Sequence, residues 1–385
     1  MEIEHVRRRF IKHFDGSTGS IYFSPGRVTL IGEHTDYNGG FSVSGAIDKG
    51  IMAEIKLNGV QKVRAYSIDM KDYVEFGFNE EDAPRTSWAR YIFGVCREMI
   101  KRGGKMEGFN TAFAGDVPIG AGMSSSAALA STYAFALNDM LNLGMDTFEL
   151  AQIGQAAEHN YCGVQYGITD HVVSLFGKKG FLIRLDGRSL EHTYYPFDPQ
   201  GFKLVLLDTA VKYELASSAC NKRRESCERV AGKLHSGVLR GVTMEQLQAI
   251  KNEVGEEDYK RAEYVTGEEQ RVADVCDALR KGDYETVGQK MYEAHYGMRN
   301  LYEVSCEELD FLNDIAKECG VTGSRMMGGC FGGCTINLVK DELYEPFIAK
   351  AKESYGAKYN RYLKVYDIVI CDGARKLCDK GIDLP

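Results

Sequence analysis

The sequence predicts a mixed α/β (α+β) protein built from two domains, and three observations carry that expectation. Segments with strand-like and helix-like periodicity are mixed along the whole of the 385 residues, as in α/β and α+β folds and unlike all-α or all-β ones. That length is enough for two domains with sizeable cores. The composition, 44% hydrophobic and 26% charged with only 7 prolines, is that of an ordinary soluble protein, without disordered or fibrous bias.

The same bulk properties exclude several function classes. No apolar run approaches ~20 residues, so no membrane-spanning helix is expected. A formal net charge of −8 argues against a general nucleic-acid binder, which needs a basic face. The 11 cysteines are odd in number and scattered without a C-x-x-C pair. Cys96, Cys162, Cys220, Cys227, Cys276, Cys306 and Cys319 are therefore expected as buried thiols in a reducing cytosol. The 8 histidines form no H-x-x-x-H pair, which argues against structural zinc. The first residues lack the apolar core of a signal peptide, so a cytoplasmic location is expected.

In chain order, MEIEHVRRRFIKHFDG reads as a surface helix with Ile3, Val6, Phe10 and Ile11 facing inward. A Pro-Gly turn at Pro25-Gly26 then opens a short strand over 28–31. Strands over 51–57 and 62–67 flank Asn58-Gly59, which predicts a hairpin, and 74–78 adds another strand. Helical spacing over 88–101 stops at Gly103-Gly104. A strand over 109–113 feeds a glycine turn and a helix running to about residue 138, followed by a second helix over 147–160. Strands over 181–185 and 203–207 follow, and 217–299 is mostly helical and highly charged, with a solvated face as the default. A helix over 307–317, a glycine-rich turn over 323–333, a strand over 335–339, a helix over 344–355 and a strand over 365–371 complete the chain. The domain cut is expected at 195–205, around Pro196 and Pro199, dividing residues 1–198 from 199–385.

Two stretches carry chemistry. In SPGRVTLIGEHTDYNGG, Glu33, His34 and Asp36 follow directly on a strand, where buried charges need partners. Their acceptors, with donors on His34 and Arg27, suit a sugar or another polyol. The alternative is a solvated turn. In the second stretch, Gly120, Ala121, Gly122 and Met123 lead into Ser124, Ser125 and Ser126 at a helix start. Free backbone N–H groups there suit an anionic phosphate, and a serine hydroxyl can reach Mg²⁺. A helix N-cap is the competing reading. No Lys follows the glycines, so this is not a Walker A loop, and protein-kinase segments are absent.

Together, GRVTLIGEHTDYNGG, PIGAGMSSSAAL and GSRMMGGCFGG resemble, in order and spacing, the three motifs of the GHMP kinase superfamily. The first resembles the galactokinase signature in particular. AEHNYCGVQYGITD, LDGRSLE and NKRRESC also look like galactokinase segments, so the resemblance covers essentially the whole chain. It implies an N-terminal domain like ribosomal protein S5 domain 2, a ferredoxin-like C-terminal domain, and a site in the cleft between them. It further implies ATP-dependent, Mg²⁺-assisted phosphorylation of galactose at the anomeric hydroxyl by a monomer. By similarity, Gly120 to Ser126 cradle the ATP phosphates, Ser126 and Glu158 hold Mg²⁺, and Asp170 is the catalytic aspartate. Arg27 stabilises the transferring group; Glu33, His34, Thr35 and Asp36 bind sugar; Ser67 contacts the nucleotide; and Gly328 to Gly333 pack at the nucleotide end.

Departures from the family pattern cluster near these positions. Thr29 stands for the usual Asn, Thr169 for Met, His171 for Gln, and Cys220 for a Tyr whose hydroxyl commonly touches the sugar. Ala130, Met327, Cys330 and Ser44 also differ. They leave open a related anomeric kinase for an altered hexose such as N-acetylgalactosamine, or a sensor that binds sugar and ATP without transfer. The intact Ser126-Ala127 argues against the sensor.

Overall fold

The computed structural model describes residues 1–379 apart from Asp15, Ser17, Glu81, Ile119, Gln165, residues 212–215, Gly329 and Cys330. The first half runs α1 (Ile3–His13), β1 (Ser20–Ile31), β2 (Phe41–Leu57), β3 (Lys62–Ser67), β4 (Asp72–Gly77), α2 (Ser87–Lys101), β5 (Phe109–Gly115), α3 (Ser125–Leu141), α4 (Thr147–Ala157), α5 (Thr169–Phe176), β6 (Phe181–Asp186) and β7 (His192–Pro196). The second half runs β8 (Phe202–Asp208), α6 (Ala216–Lys233), α7 (Met244–Ala249), α8 (Glu256–Lys281), α9 (Tyr284–Asn300), α10 (Glu307–Glu318), β9 (Gly323–Met327), β10 (Cys334–Lys340), α11 (Asp341–Tyr359), β11 (Lys364–Ile368) and β12 (Arg375–Cys378).

Two sheets organise these elements. The larger follows the order β12-β1-β2-β5-β3-β4, with β6 on the other half of β2 and β7 beyond it. The smaller is a wholly antiparallel sheet of order β11-β8-β10-β9. Helices α2, α3 and α4 bury an apolar face that includes Ile92, Phe93, Tyr133, Leu137 and Ile153 against β5 and the end of β2, while Val6 and Phe10 of α1 pack on the opposite face. Another core joins the halves: Val28, Leu30 and Ile31 of β1 meet Leu204 and Leu206 of β8, Tyr264 and Val272 of α8, and Ile336 of β10. The functional strand β1 is thus buried along its whole length, which fixes its side chains before any ligand arrives.

Several expectations need correction. The hairpin at Asn58-Gly59 does not form. Strand β5 inserts between β2 and β3, antiparallel to one and parallel to the other, and Asn58 instead bonds Lys62 and Asn110 through its side chain. Pro25-Gly26 is a register shift within β1 and not a turn before it. The first part of the stretch 323–333 is strand β9, paired with β10. Strand β7 was not anticipated, because HTYYP is half exposed and ends in proline. Helix α4 stops at Ala157 and continues as a π-helical turn, Glu158–Cys162. Ile3 and Ile11 are only partly buried, whereas Arg7 of the same helix is buried.

Nine of the cysteines are free, but the expectation of a free thiol fails at Cys220, which is disulfide-bonded. Cys330 lies outside the described residues. Among the described residues, no helix is long and apolar enough to cross a membrane.

Candidate active site

Alternation along β1 puts Arg27 and Thr29 on one face, as expected, and both line a cavity of about 360 Å³. At the end of β1 the chain turns through Gly32 and His34, both at positive φ, into a 3₁₀ turn, Asp36–Asn38. Glu33, His34 and Asp36 line the same cavity, together with Gly120, Gly122, Met123, Ser124, Ser125, Ser126, Asp170 and Cys220. The candidate sugar residues and the candidate phosphate loop therefore share one space. Thr35 does not line it: fully buried, its hydroxyl bonds the carbonyls of Gly32 and Phe41 and closes the loop from inside. Ser67, at the end of β3, is also buried away from it and accepts the Met70 N–H at 3.4 Å. Ala121 is buried beneath the loop.

The centre of the cavity is an ion pair. Arg27 donates Nε to Asp170 Oδ1 at 2.6 Å and Nη2 to Oδ2 at 2.9 Å, and its Nη1 donates to the Gly122 carbonyl at 2.6 Å. Ser124, at φ 55° just before α3, donates its hydroxyl to Asp170 Oδ2, so that hydroxyl is committed to the carboxylate. Burial opposes the charge of Arg27, but Asp170, Glu33 and Asp36 outweigh it and raise its pKa. A fork-to-fork pair of this kind is both strong and geometrically specific.

Around this pair the carboxylates are held individually. Glu33 meets Arg325 of β9, a fully buried arginine that also donates to the Met326 carbonyl at 2.8 Å. Asp36 accepts from the Tyr37 N–H at 2.9 Å and from the Thr169 hydroxyl at 3.1 Å. Burial raises its pKa, and these bonds work against that rise. His34 Nδ1 lies 2.8 Å from the Tyr37 hydroxyl, which in turn meets the Tyr302 hydroxyl at 2.9 Å. Sequence reasoning missed Arg325 and Tyr302. Arg325 carried a signal, since a lone charge inside the apolar run of a strand must be buried with a partner. Of the departures, Thr29 accepts from Ser44 at 3.0 Å on the cavity floor, and Thr169 holds Asp36.

The third glycine stretch closes the phosphate loop from the other sheet. A Cβ on Gly328 would sit 2.9 Å from the Gly122 Cα, and Gly328 has φ +92°. Backbone therefore packs on backbone, which only glycine permits here.

Glu158 does not line the cavity and is 3% exposed. It neighbours Tyr91, whose pKa burial and Glu158 raise, while a bond from Ser126 opposes the rise. Glu158 Oε1 is buried with no hydrogen-bond partner. Among the described residues, no three His, Cys, Asp or Glu side chains converge on a metal-sized point. A cation held here must therefore complete its shell with hydroxyl, phosphate and water oxygens, as Mg²⁺ does. The unsatisfied Glu158 oxygen and the neighbouring Ser126 hydroxyl fit that ion.

Helix α8 secures the loop from behind. The Gly32 N–H donates to Glu268 at 2.8 Å, and Tyr264 donates to the Glu33 carbonyl at 3.1 Å. Beside them, burial raises the Glu269 carboxyl to about 7, with Arg240 opposing and Glu268 adding to the rise. A raised carboxyl favours the fold below its unfolded pKa, and that contribution is lost as pH rises through 7. Glu269→Gln is expected to raise the melting temperature relative to the parent at pH 8.5, with the gain shrinking as pH falls and disappearing below about pH 4. Thermal melts across that pH range check this.

An ion pair buried where a phosphate-type helix start meets a polar loop is the arrangement expected of a GHMP kinase. The models of that superfamily agree. The GHMP kinases N terminal domain matches residues 90–178, the GHMP kinases C terminal domain residues 276–356, and the galactokinase galactose-binding signature residues 8–57. Within the superfamily, the chain belongs to the galactokinase family. It is 38% identical to the galactokinase of Thermotoga neapolitana over 92% of this chain and 99% of that one. It is 35% identical to that of Clostridium acetobutylicum over 97% and 98%. The crystal structure of Lactococcus lactis galactokinase complexed with galactose superposes with a TM-score of 0.92 at 30% identity, covering 96% of this chain and 98% of that one. A Methanococcus jannaschii mevalonate kinase shares the fold, with a TM-score of 0.66 at 17% identity over 91% and 98%.

Proposed function

We propose that this sugar kinase transfers the γ-phosphoryl group of ATP to the anomeric hydroxyl of D-galactose, giving galactose 1-phosphate and ADP. The observation that carries the proposal is the Arg27–Asp170 pair, which stands where the polar loop and the phosphate loop meet. Phosphoryl transfer needs positioning and charge neutralisation more than covalent help from the protein. Asp170 has two carboxylate oxygens and already accepts three donated bonds. About one acceptor site then remains for the attacking hydroxyl. Asp170 orients that hydroxyl and takes its proton as the bond to phosphorus forms. Arg27, fixed on both sides, meets the charge growing on the transferred group. Glu33, His34 and Asp36 receive and donate hydrogen bonds to the sugar, and the backbone N–H groups of Gly120 to Ser126 receive the phosphates. Ser126 and Glu158 would hold Mg²⁺, which would supply charge neutralisation at the phosphates.

The protein is read as a cytoplasmic monomer, with its domains divided at 198 and 199. The chain leaves the large sheet at Pro196 and enters the small one at Phe202, while β12 returns to pair with β1. A second substrate reading, a differently substituted hexose, is favoured by Cys220, whose disulfide-bonded sulfur at the cavity wall cannot donate as a thiol. An ADP-release assay over free hexoses that includes galactose and N-acetylgalactosamine separates the two. Galactose is expected to turn over fastest, and turnover of another hexose with none of galactose would reject the galactose assignment.

A further inference from the structure

We propose that His171 is a positioning residue that steers the Glu158 carboxylate toward the metal. This rests on the reading of Glu158 as a Mg²⁺ ligand. His171 follows Asp170 on α5 and is wholly buried. Its Nε2 lies 3.3 Å from Glu158 Oε2, and neither ring nitrogen has an aligned hydrogen-bond partner. A buried imidazole is costly without a polar partner, and the carboxylate is the group that faces it.

Helix α4 is built to receive this ring. A Cβ on Gly154 would sit 2.5 Å from His171 Nδ1 and 3.0 Å from its Cε1, so any larger residue would push the imidazole away. Gly154 precedes Glu158 by four positions and thus shares its helix face. One face of α4 therefore supplies both the slot for the ring and the carboxylate that the ring meets. At Glu158 the helix passes into a π-helical turn, an irregularity common at functional sites. With Oε2 turned to His171, Oε1 is left without a hydrogen-bond partner. The ring therefore sets where the carboxylate lies through its contact at Oε2, in the way outer partners orient metal-binding carboxylates.

The test uses the full-length enzyme with a non-hydrolysable ATP analogue, titrated with Mn²⁺ and followed by electron paramagnetic resonance. His171→Leu is expected to weaken Mn²⁺ binding about 10-fold or more, with metal-free nucleotide affinity and galactose affinity unchanged. His171→Gln, which restores a donor near Nε2, is expected to recover most of that loss. If His171→Leu binds Mn²⁺ as tightly as the parent while Glu158→Gln does not, the ring only fills space and the proposal falls. If Glu158→Gln itself binds Mn²⁺ normally, the ligand assignment beneath the proposal fails. Should His171→Leu not fold, His171→Gln and His171→Asn carry the comparison, since Asn withdraws the same amide by one methylene. Equal Mn²⁺ affinity in those two would overturn the proposal.

Discussion

Asp170→Asn is expected to lower kcat about 10³-fold, within the range for loss of a general base, while leaving the fold in place. The amide cannot take the hydroxyl proton, and it presents a single acceptor oxygen to an arginine that donates two bonds to the carboxylate in the parent. Binding should suffer much less, because the loop residues Glu33, His34 and Asp36 are held by other partners and the glycine-serine turn keeps the Arg27 bond to the Gly122 carbonyl. The signature is thus a fallen kcat with galactose and ATP KM values within a few-fold of the parent. Steady-state kinetics beside a circular-dichroism melt make the check. A variant that retains near-parent turnover would remove Asp170 from the chemistry.

Arg325→Leu is expected to have the largest effect on stability. The guanidinium is fully buried and is the counter-ion of Glu33. Deleting one member of a buried pair leaves the other charged and unpaired, at a cost of about 3–5 kcal/mol. The damage should also reach function, because Glu33 would be free to turn toward Arg27, which already feels its charge. Galactose KM should rise while ATP KM changes little. Adding Glu33→Leu to Arg325→Leu should restore part of the stability, since the stranded charge is gone, but not the affinity for galactose. Chemical denaturation of the single and double variants measures the coupling. Additive losses in the cycle would mean that the two side chains do not depend on each other.

The contrast between these two residues shows what the sequence makes legible. Asp170, Arg27 and the loop from Gly120 to Ser126 sit in local patterns, a strand followed by a polar turn and a glycine turn followed by a serine helix start. Such patterns can be read over a dozen residues. Arg325 belongs to an equally short motif, but its partner Glu33 lies 292 positions away, and no local pattern announces that meeting. The same distance hid the insertion of β5 between β2 and β3, where Asn58-Gly59 had every local feature of a hairpin. It also hid the return of β12 to β1, which places the end of the described chain in the first sheet. Thr35 misled for the opposite reason. It stands among ligand-facing residues in the sequence, yet the turn through His34 rotates its hydroxyl inward, where two carbonyls take it.

The departures near the site became interpretable once the neighbours were visible. Nothing beside Thr169 in the sequence points to Asp36, 133 positions away, yet its hydroxyl holds that carboxylate. His171 is unremarked by periodicity, being one more buried position on α5, and gains meaning only from Gly154 and Glu158 on α4. In each case a contact between α5 and a distant segment, the 3₁₀ turn after β1 or the end of α4, gives the substituted residue its partner.

The central claim is that one cavity brings an anomeric hydroxyl of galactose to the γ-phosphate of ATP at the Arg27–Asp170 pair. The measurement that tests it most directly is the position of the phosphate in the product. After incubation with galactose, ATP and Mg²⁺, phosphorus NMR should show a new phosphomonoester coupled to the anomeric proton, formed in equal amount to ADP. A phosphate on any other hydroxyl, or ADP released with no phosphorylated galactose, would contradict the account.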